Sequence, residues 1–167
     1  LVYQDGVLLL AQPRMAKDHV PYTPLRAELV AFSAETGEPL WSHTCYYWTY
    51  GLPPDVFVID GLVWVHDAEP HAMMGLDLKT GEERERFSTE KAMRMTHHHR
   101  CYRDKATQRF ILTGRRGTEF LDVGSGENVL HHWARGTCLL GIMPANGLLY
   151  VPPDPCVCYL TVKLNGL

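Results

Sequence analysis

The stretch Gly75-Leu-Asp-Leu-Lys-Thr-Gly-Glu82 decides the predicted fold, because related runs occur elsewhere in the chain. The run Ala31-Phe-Ser-Ala-Glu-Thr-Gly-Glu38 lies 44 positions earlier, and the weaker copy Phe120-Leu-Asp-Val-Gly-Ser-Gly-Glu127 lies 45 positions later. Each run is a short apolar segment followed by a polar turn that contains glycine and ends in glutamate. A recurrence of roughly 40 to 50 residues is typical of proteins that are built from structural repeats.

A second turn signal precedes these runs. Asp5-Gly6, Asp60-Gly61 and Asn146-Gly147 each lead into an apolar segment. Asp-Gly and Asn-Gly tolerate the positive φ angles of two-residue hairpin turns, so each pair is expected to close a hairpin. The copy that is missing from the third repeat is expected near Asp104-Lys105, ahead of a strand at 109–113.

One repeat therefore contains four short antiparallel strands, which is the pattern of a β-propeller blade. The sequence predicts an all-β chain, a β-propeller fragment of roughly three to four four-stranded blades in a single partial domain. The predicted repeats span 1–55, 56–100, 101–143 and an incomplete 144–167. The one helical signal is a single turn at 91–96.

The run that ends at Trp41 resembles the repeat of the pyrroloquinoline-quinone-type (quinoprotein-like) β-propellers. The resemblance implies that the Thr-Gly turn and the tryptophan that follows it dock neighbouring blades. Phe87 and Trp133 follow the next two turns. They are therefore expected to be the docking aromatics of the second and third repeats.

The segment 97–159 is similar to a propeller subfamily found in large multidomain bacterial proteins. The shared features are four short runs: His97-His-His-Arg-Cys-Tyr102, Trp133-Ala-Arg-Gly-Thr-Cys138, Met143-Pro-Ala-Asn-Gly147 and Pro152-Pro-Asp-Pro-Cys-Val-Cys-Tyr159. The quinoprotein-like fold hosts dehydrogenases, assembly scaffolds and sensors, so the resemblance implies a fold rather than an activity.

The number of repeats is too small for a closed ring, since propellers typically have four to eight blades. The resemblance implies seven or eight blades. An open arc exposes strand edges and apolar blade faces. We therefore expect the chain to be a fragment that the remaining propeller blades or another copy of the chain completes.

The composition narrows the class of protein. Hydrophobic residues make up 46% of the 167 residues and charged residues 21%, as in an ordinary globular protein. A net charge of -3 argues against a general nucleic-acid binder. No apolar run approaches the roughly 18 residues of a membrane span. Five cysteines favour an oxidising compartment, so a soluble periplasmic or extracellular location is expected.

Histidine and cysteine side chains form the richest candidate site. Alternate residues of a strand point to the same face, so ligands that alternate along a strand are expected to lie together. The candidate metal ligands are His97, His99, Cys101, Cys138, Cys156 and Cys158. Imidazole and thiolate ligands suit a transition metal such as copper, zinc or iron. The spacing matches no strong metal signature. In the other interpretation Cys101 forms a disulfide with Cys138, or with Cys156 or Cys158, and both interpretations stay open.

A quinone cofactor is the second enzymatic option. It requires calcium held by carboxylate and amide oxygens and an aspartate base. Glu127-Asn128 and the bases Asp122 or Asp154 are the available residues, and the adjacent cysteines of the family's dehydrogenases are missing. The preferred function is a binding or scaffolding propeller segment, with a small-molecule ligand as one option. The alternative is a redox enzyme that uses a metal or quinone at the His/Cys-rich face.

Overall fold

The computed structural model describes residues 1–13, 25–47, 54–67, 71–93, 101–115 and 117–152. Its contacts divide the chain into two units, Leu1–Ser88 and Thr89–Leu167. Antiparallel sheets form both units, so the predicted all-β class is confirmed. Among the described residues there is no helix with the length and apolar character needed to cross a membrane.

The first unit contains two four-stranded sheets, in which strands that follow one another in the chain are hydrogen-bonded neighbours. The first sheet consists of β1 (Val2–Gln4), β2 (Val7–Pro13), β3 (Leu25–Ser33) and β4 (Pro39–Tyr47). The second sheet consists of β5 (Phe57–Ile59), β6 (Leu62–His66), β7 (Ala72–Asp77) and β8 (Glu83–Ser88). Each sheet is an up-and-down meander, as the sequence predicts for one repeat.

The second unit begins with a single helical turn, α1 (Glu90–Met93), one residue ahead of the predicted turn at 91–96. A third meander follows, made of β9 (Lys105–Ala106), β10 (Phe110–Thr113), β11 (Thr118–Asp122) and β12 (Asn128–His131). The hairpin β13 (Met143–Ala145) and β14 (Leu148–Tyr150) forms a two-stranded sheet.

The core of the first unit lies between its two sheets. Along β3, every second residue from Leu25 to Ala31 is buried, because alternate side chains point to the same face of a sheet. These residues share one apolar cluster with residues of the second sheet, namely Val63, Val65, Met74 and Leu76. The flat faces of two consecutive repeats are therefore packed against each other.

The predicted hairpin turns are present at Asp5-Gly6, Asp60-Gly61 and Asn146-Gly147. The φ angles are +46° and +79° in the first turn, +50° and +77° in the second, and +54° and +74° in the third. Positive φ at both central residues is the mark of the type I′ turn, whose twist matches that of the flanking strands. The choice of Asp-Gly or Asn-Gly at these positions thus has a direct conformational cause.

The third sheet corrects one prediction, since its first hairpin turns at Gln108-Arg109 and not near Asp104-Lys105. The Thr107 N–H donates to the Phe110 carbonyl at 2.9 Å across this turn. Neither central residue has a positive φ. The Thr107 hydroxyl instead accepts hydrogen bonds from the backbone N–H groups of Arg109 and Phe110. The turn therefore needs no glycine and carries no Asp-Gly signal.

The recurrent turns at Gly37, Gly81 and Gly126 share one geometry. Their φ angles are +75°, +73° and +72°. Each glycine N–H donates to the carbonyl oxygen four residues earlier, at 2.8, 2.9 and 2.8 Å respectively. In the second and third copies, the side chains of Asp77 and Asp122 accept hydrogen bonds from two backbone N–H groups within the turn. This local capping explains why an aspartate recurs five residues before the final glutamate in these two copies.

Trp41 packs against the recurrent turn of the following repeat. Its indole Nε1 donates to the Leu78 carbonyl at 3.1 Å. Its ring lies so close to Gly81 that a Cβ atom there would be 2.6 Å from Trp41 Cδ2. The glycine thus provides both the positive φ of the turn and the space that the indole occupies.

Among the described residues, neither Phe87 nor Trp133 shows a contact like that of Trp41, and the docking role expected of them stays a prediction. Phe87 also differs from Trp41 in strand register, because Trp41 pairs with Ala31 whereas Glu85 pairs with the equivalent Gly75. Within its own sheet, Phe87 packs against Trp64, with 5.7 Å between ring centroids. Trp133 is 70% exposed.

Candidate functional site

Two of the six predicted metal ligands, Cys101 and Cys138, lie together in the second unit. They belong to one apolar cluster with Tyr102, Leu112 and Ile142. No disulfide joins the two thiols. The other four predicted ligands, His97, His99, Cys156 and Cys158, lie outside the described residues.

Backbone contacts bring the two cysteines together although 37 positions separate them in the chain. The Leu139 N–H donates to the Cys101 carbonyl oxygen at 2.7 Å. The Cys138 side chain is close enough to the Cys101 thiol to contribute to the rise of its pKa. Cys101 is 7% exposed and Cys138 is half-buried, so the pair consists of an inner and an outer thiol.

A tight turn presents Cys138. The Gly141 N–H donates to the Thr137 carbonyl at 2.7 Å and closes this turn. Leu139 has a φ of +70° and Gly141 a φ of +74°. A positive φ is uncommon for a residue with a branched side chain, so Leu139 is held in a strained conformation. Such strain persists only where the surrounding contacts enforce it, and here the bond to Cys101 does so.

Tyr102 is the central buried side chain of this region. It is 1% exposed, and its hydroxyl lies 3.4 Å from both the Gly117 carbonyl oxygen and the Gly136 nitrogen. A Cβ atom at Gly114 would overlap the tyrosine ring, and one at Gly141 would be 3.0 Å from it. Burial raises the pKa of the Tyr102 hydroxyl, so this group stays protonated at neutral pH.

Arg135 places a buried positive charge beside the inner thiol. Its guanidinium carbon is 5.9 Å from the centroid of the Tyr102 ring. Burial raises the pKa of the Cys101 thiol to about 11, whereas the hydrogen bond and charge of Arg135 favour the thiolate. Cys138 adds to the rise. Cys101 is therefore a protonated thiol at neutral pH, next to a cation that would stabilise its anion.

Glu119 organises the adjoining loop between β10 and β11, and it is fully buried. Its carboxylate accepts hydrogen bonds from the Thr113 hydroxyl at 3.0 Å, the Arg115 N–H at 2.8 Å and the Gly117 N–H at 3.2 Å. Sequence reasoning missed Glu119, Tyr102 and Arg135. Strand parity could have placed Glu119 in the core, since it shares a face with the buried residue two positions later.

The candidate quinone residues that the structure describes are engaged in turn contacts. Asp122 caps the third recurrent turn and pairs with Arg109 Nε at 2.8 Å. The Asn128 amide donates to the Gly126 carbonyl at 3.1 Å and accepts from the Ala92 N–H at 3.4 Å. Asp154 lies outside the described residues. Asp122 and Asn128 therefore do not fit the base and calcium ligand of a quinone site.

A shallow apolar groove of about 410 Å³ lies next to the thiol pair. Its walls come from the Leu140–Met143 segment and from Tyr150, Val151 and Pro152. Leu140, which lines the groove, is 73% exposed, and its chain neighbour Leu139 is 76% exposed. The groove has the apolar lining of a binding surface but few polar groups to orient a ligand.

The two thiols, Cys101 and Cys138, can take part in two kinds of chemistry. Two adjacent thiols can be oxidised to a disulfide, and two thiolates can provide half of a tetrahedral metal site. Within the described ranges, no group of three or more His, Cys, Asp or Glu side chains is placed to hold a metal ion. The six-residue metal site stays a prediction, because further ligands would come from residues outside those ranges. The chain matches no protein-family model and shows no significant match to a curated protein.

Proposed function

We propose that the chain is a binding or scaffolding segment of a β-propeller with quinoprotein-like repeats. The single observation that carries this proposal is the contact of Trp41 with the Leu78–Gly81 turn. It joins a strand of one repeat to the recurrent turn of the next, which is the docking contact that the resemblance implies. The packed faces of the first two meanders support the same interpretation.

Two packed meanders also occur in β-sandwiches, so the packing alone does not distinguish a propeller from a sandwich. The contacts that recur in each repeat bear on that distinction. The backbone N–H groups of Ala34, Leu78 and Val123 donate to the carbonyl oxygens of Gly6, Gly61 and Arg109. Both turns of a meander are thus tied together in the same way in three consecutive sheets. Such strict repetition favours blades of a propeller over unrelated sheets of a sandwich.

The described residues form three four-stranded sheets and a hairpin, which are fewer than a ring of typical size requires. In this proposal, further blades or another copy of the chain complete the ring. Sedimentation velocity over a range of protein concentrations tests assembly between copies. Concentration-dependent association supports it, and a strict monomer excludes assembly through the open edges.

Three of the described carboxylates favour binding or scaffolding over catalysis. The buried or capping carboxylates of Glu119, Asp77 and Asp122 hold backbone N–H groups of loops and turns. They are thereby committed to structure and are poorly placed to exchange protons with a substrate. The periplasmic or extracellular location and the bacterial origin belong to the same proposal and follow from the cysteine content and the resemblance.

The alternative function is a redox enzyme that uses a metal or quinone, and one observation favours the metal form of this alternative. Cys101 and Cys138 lie side by side near the buried guanidinium of Arg135. Such a pair is a site for a thiolate-ligated metal if the histidines at 97 and 99 approach it.

Elemental analysis and quinone titration of the purified chain separate the two functions. The scaffolding proposal predicts no stoichiometric metal and no saturable binding of pyrroloquinoline quinone in the presence of calcium. Stoichiometric copper or zinc that is lost in Cys101→Ser but kept in Cys45→Ser would establish the alternative. Cys45 is a suitable control because it is a buried thiol of the first unit.

A further inference from the structure

Cys101 and Cys138 are neighbours in the fold, whichever function the chain has. The Leu139–Cys101 hydrogen bond fixes the backbone next to Cys138 against the backbone of Cys101. Both side chains lie in one cluster. A disulfide requires Cα atoms about 4.4–6.8 Å apart and converging Cβ atoms, so its two cysteines must be close neighbours in the fold, as Cys101 and Cys138 are.

The two thiols differ in access to solvent. Cys138 is half-buried on the turn closed by Thr137 and Gly141, whereas Cys101 is buried behind it. This order matches an outer thiol that meets a reagent first and an inner thiol that completes the reaction. Among the described cysteines, the remaining one, Cys45, belongs to the other unit and is fully buried.

We propose that Cys101 and Cys138 are a reversible redox pair, oxidised by thiol–disulfide exchange with a low-molecular-weight disulfide and reduced by the corresponding thiol. The Cys138 thiolate attacks one sulfur of the disulfide, the bond between the two reagent sulfurs breaks, and the first reagent thiol leaves. The Cys101 sulfur then gives up its proton and attacks the Cys138 sulfur. The second reagent thiol leaves and takes up a proton, so two protein thiols become one disulfide and one reagent disulfide becomes two thiols.

The bond would act on a strained part of the fold. It would link the residue before Tyr102 covalently to the turn in which Leu139 has a positive φ. The link would hold the start of the β13–β14 hairpin and the adjoining apolar groove in place. Reduction would leave this segment with the Leu139–Cys101 hydrogen bond and side-chain packing.

The test uses the full chain, reduced, treated with a chelator to remove metal, and equilibrated with mixtures of glutathione and glutathione disulfide. Thiols are then alkylated, and the intact mass and the peptides are determined. The expected result is one disulfide per chain, a fall from five alkylated cysteines to three, and a linked peptide pair that contains Cys101 and Cys138. Added reduced glutathione should restore all five thiols.

Variants assign the two roles. Cys101→Ser should retain one glutathione on Cys138, because the resolving thiol is missing. Cys138→Ser should react with glutathione disulfide at least about tenfold more slowly at Cys101, because that thiol is buried. Cys45→Ser is the matched control and should form the same linked pair as the unsubstituted chain.

A link from Cys101 to Cys156 or Cys158 would overturn the proposal, and so would full alkylation of Cys101 and Cys138 after oxidation. The double variant Cys156→Ser/Cys158→Ser should still form the Cys101–Cys138 bond, and its failure to do so would also overturn the proposal. If a serine variant loses its native circular dichroism, peptide mapping of the unsubstituted chain decides the result.

Discussion

The indole nitrogen of Trp41 donates a hydrogen bond to the carbonyl oxygen of Leu78, 37 positions later in the chain. This contact holds the outer strand of one meander on the recurrent turn of the next. It therefore joins two repeats, each of which is held internally by local turns and strand pairing. The stability of the first unit should depend on it.

Two substitutions of Trp41 separate the contribution of its ring packing from that of its indole hydrogen bond. Trp41→Ala should destabilise the first unit by about 3 kcal/mol, the low end of the range for such truncations, since the ring is half-buried. Trp41→Phe keeps most of the ring contact and loses the hydrogen bond, so a loss of about 1 kcal/mol is expected. Urea unfolding monitored by circular dichroism measures both. Trp133→Ala is the control and should change stability by less than about 0.5 kcal/mol, because Trp133 is exposed.

Gly81 and Gly37 form a matched pair for testing the contact between Trp41 and the recurrent turn by changes in the turn itself. Both have a positive φ, but a Cβ at Gly81 would overlap Trp41 whereas one at Gly37 would meet nothing within 4 Å. Gly37→Ala should cost about 1 kcal/mol for the backbone alone. Gly81→Ala should cost a further 1–3 kcal/mol or so from overpacking. Equal losses would contradict the docking geometry. Combining Gly81→Ala with Trp41→Ala should remove the additional loss.

Glu119→Gln tests the buried carboxylate of the second unit. The amide group would place a donor where the carboxylate accepts hydrogen bonds from Thr113, Arg115 and Gly117. A loss of about 2–3 kcal/mol is expected, since a buried N–H is left without an acceptor. Chemical unfolding gives the value. The exposed Glu35→Gln should be close to neutral, and an equally neutral Glu119→Gln would contradict the structural role.

Leu139→Gly should stabilise the second unit by up to about 1 kcal/mol, because glycine adopts the positive φ of this position without strain. Leu140→Gly is the control. That residue is equally exposed but has no positive φ, so the added backbone freedom should make it slightly destabilising. Thermal unfolding of the two variants should shift in opposite directions. A shift in the same direction would contradict the strained conformation of Leu139.

Stability should fall in acid because of the turn aspartates. Hydrogen bonds from the backbone of Thr80 and Lys79 lower the pKa of Asp77, and the Arg109 side chain is the main cause of the lowered pKa of Asp122. A carboxyl whose pKa is lower in the folded state stabilises the fold above its unfolded value of about 4. That stabilisation is lost as the pH falls from about 4 through the lower folded value.

Unfolding midpoints between pH 2 and pH 7 measure this effect. Asp77→Asn should flatten the acid limb for the first unit, and Asp122→Asn should do so for the second. The matched control Asp60→Asn makes the same change of charge at an exposed hairpin turn and should leave the limb steep. An acid limb that is unchanged in both test variants would exclude the two carboxyls as its source.

The local structure of this chain was predictable because it depends on residues within a few positions of one another. Asp-Gly and Asn-Gly select hairpin turns through positive φ, and an aspartate caps its own turn, so the meanders follow from short motifs. The Gln108-Arg109 turn escaped prediction because the Thr107 hydroxyl replaces the usual glycine signal. Hence even a local rule fails where a side chain provides the hydrogen bonds.

The different burial of the two tryptophans and the pairing of the two cysteines were decided by the tertiary structure. Trp41 and Trp133 both follow a recurrent turn, yet one packs on the next repeat and the other is exposed. Sequence spacing made Cys101 and Cys138 candidate metal ligands or disulfide partners. In the structure, the hydrogen bond from Leu139 to Cys101 holds the two segments together. Residues that share a motif can differ in environment, because packing is set by whichever distant segment reaches them.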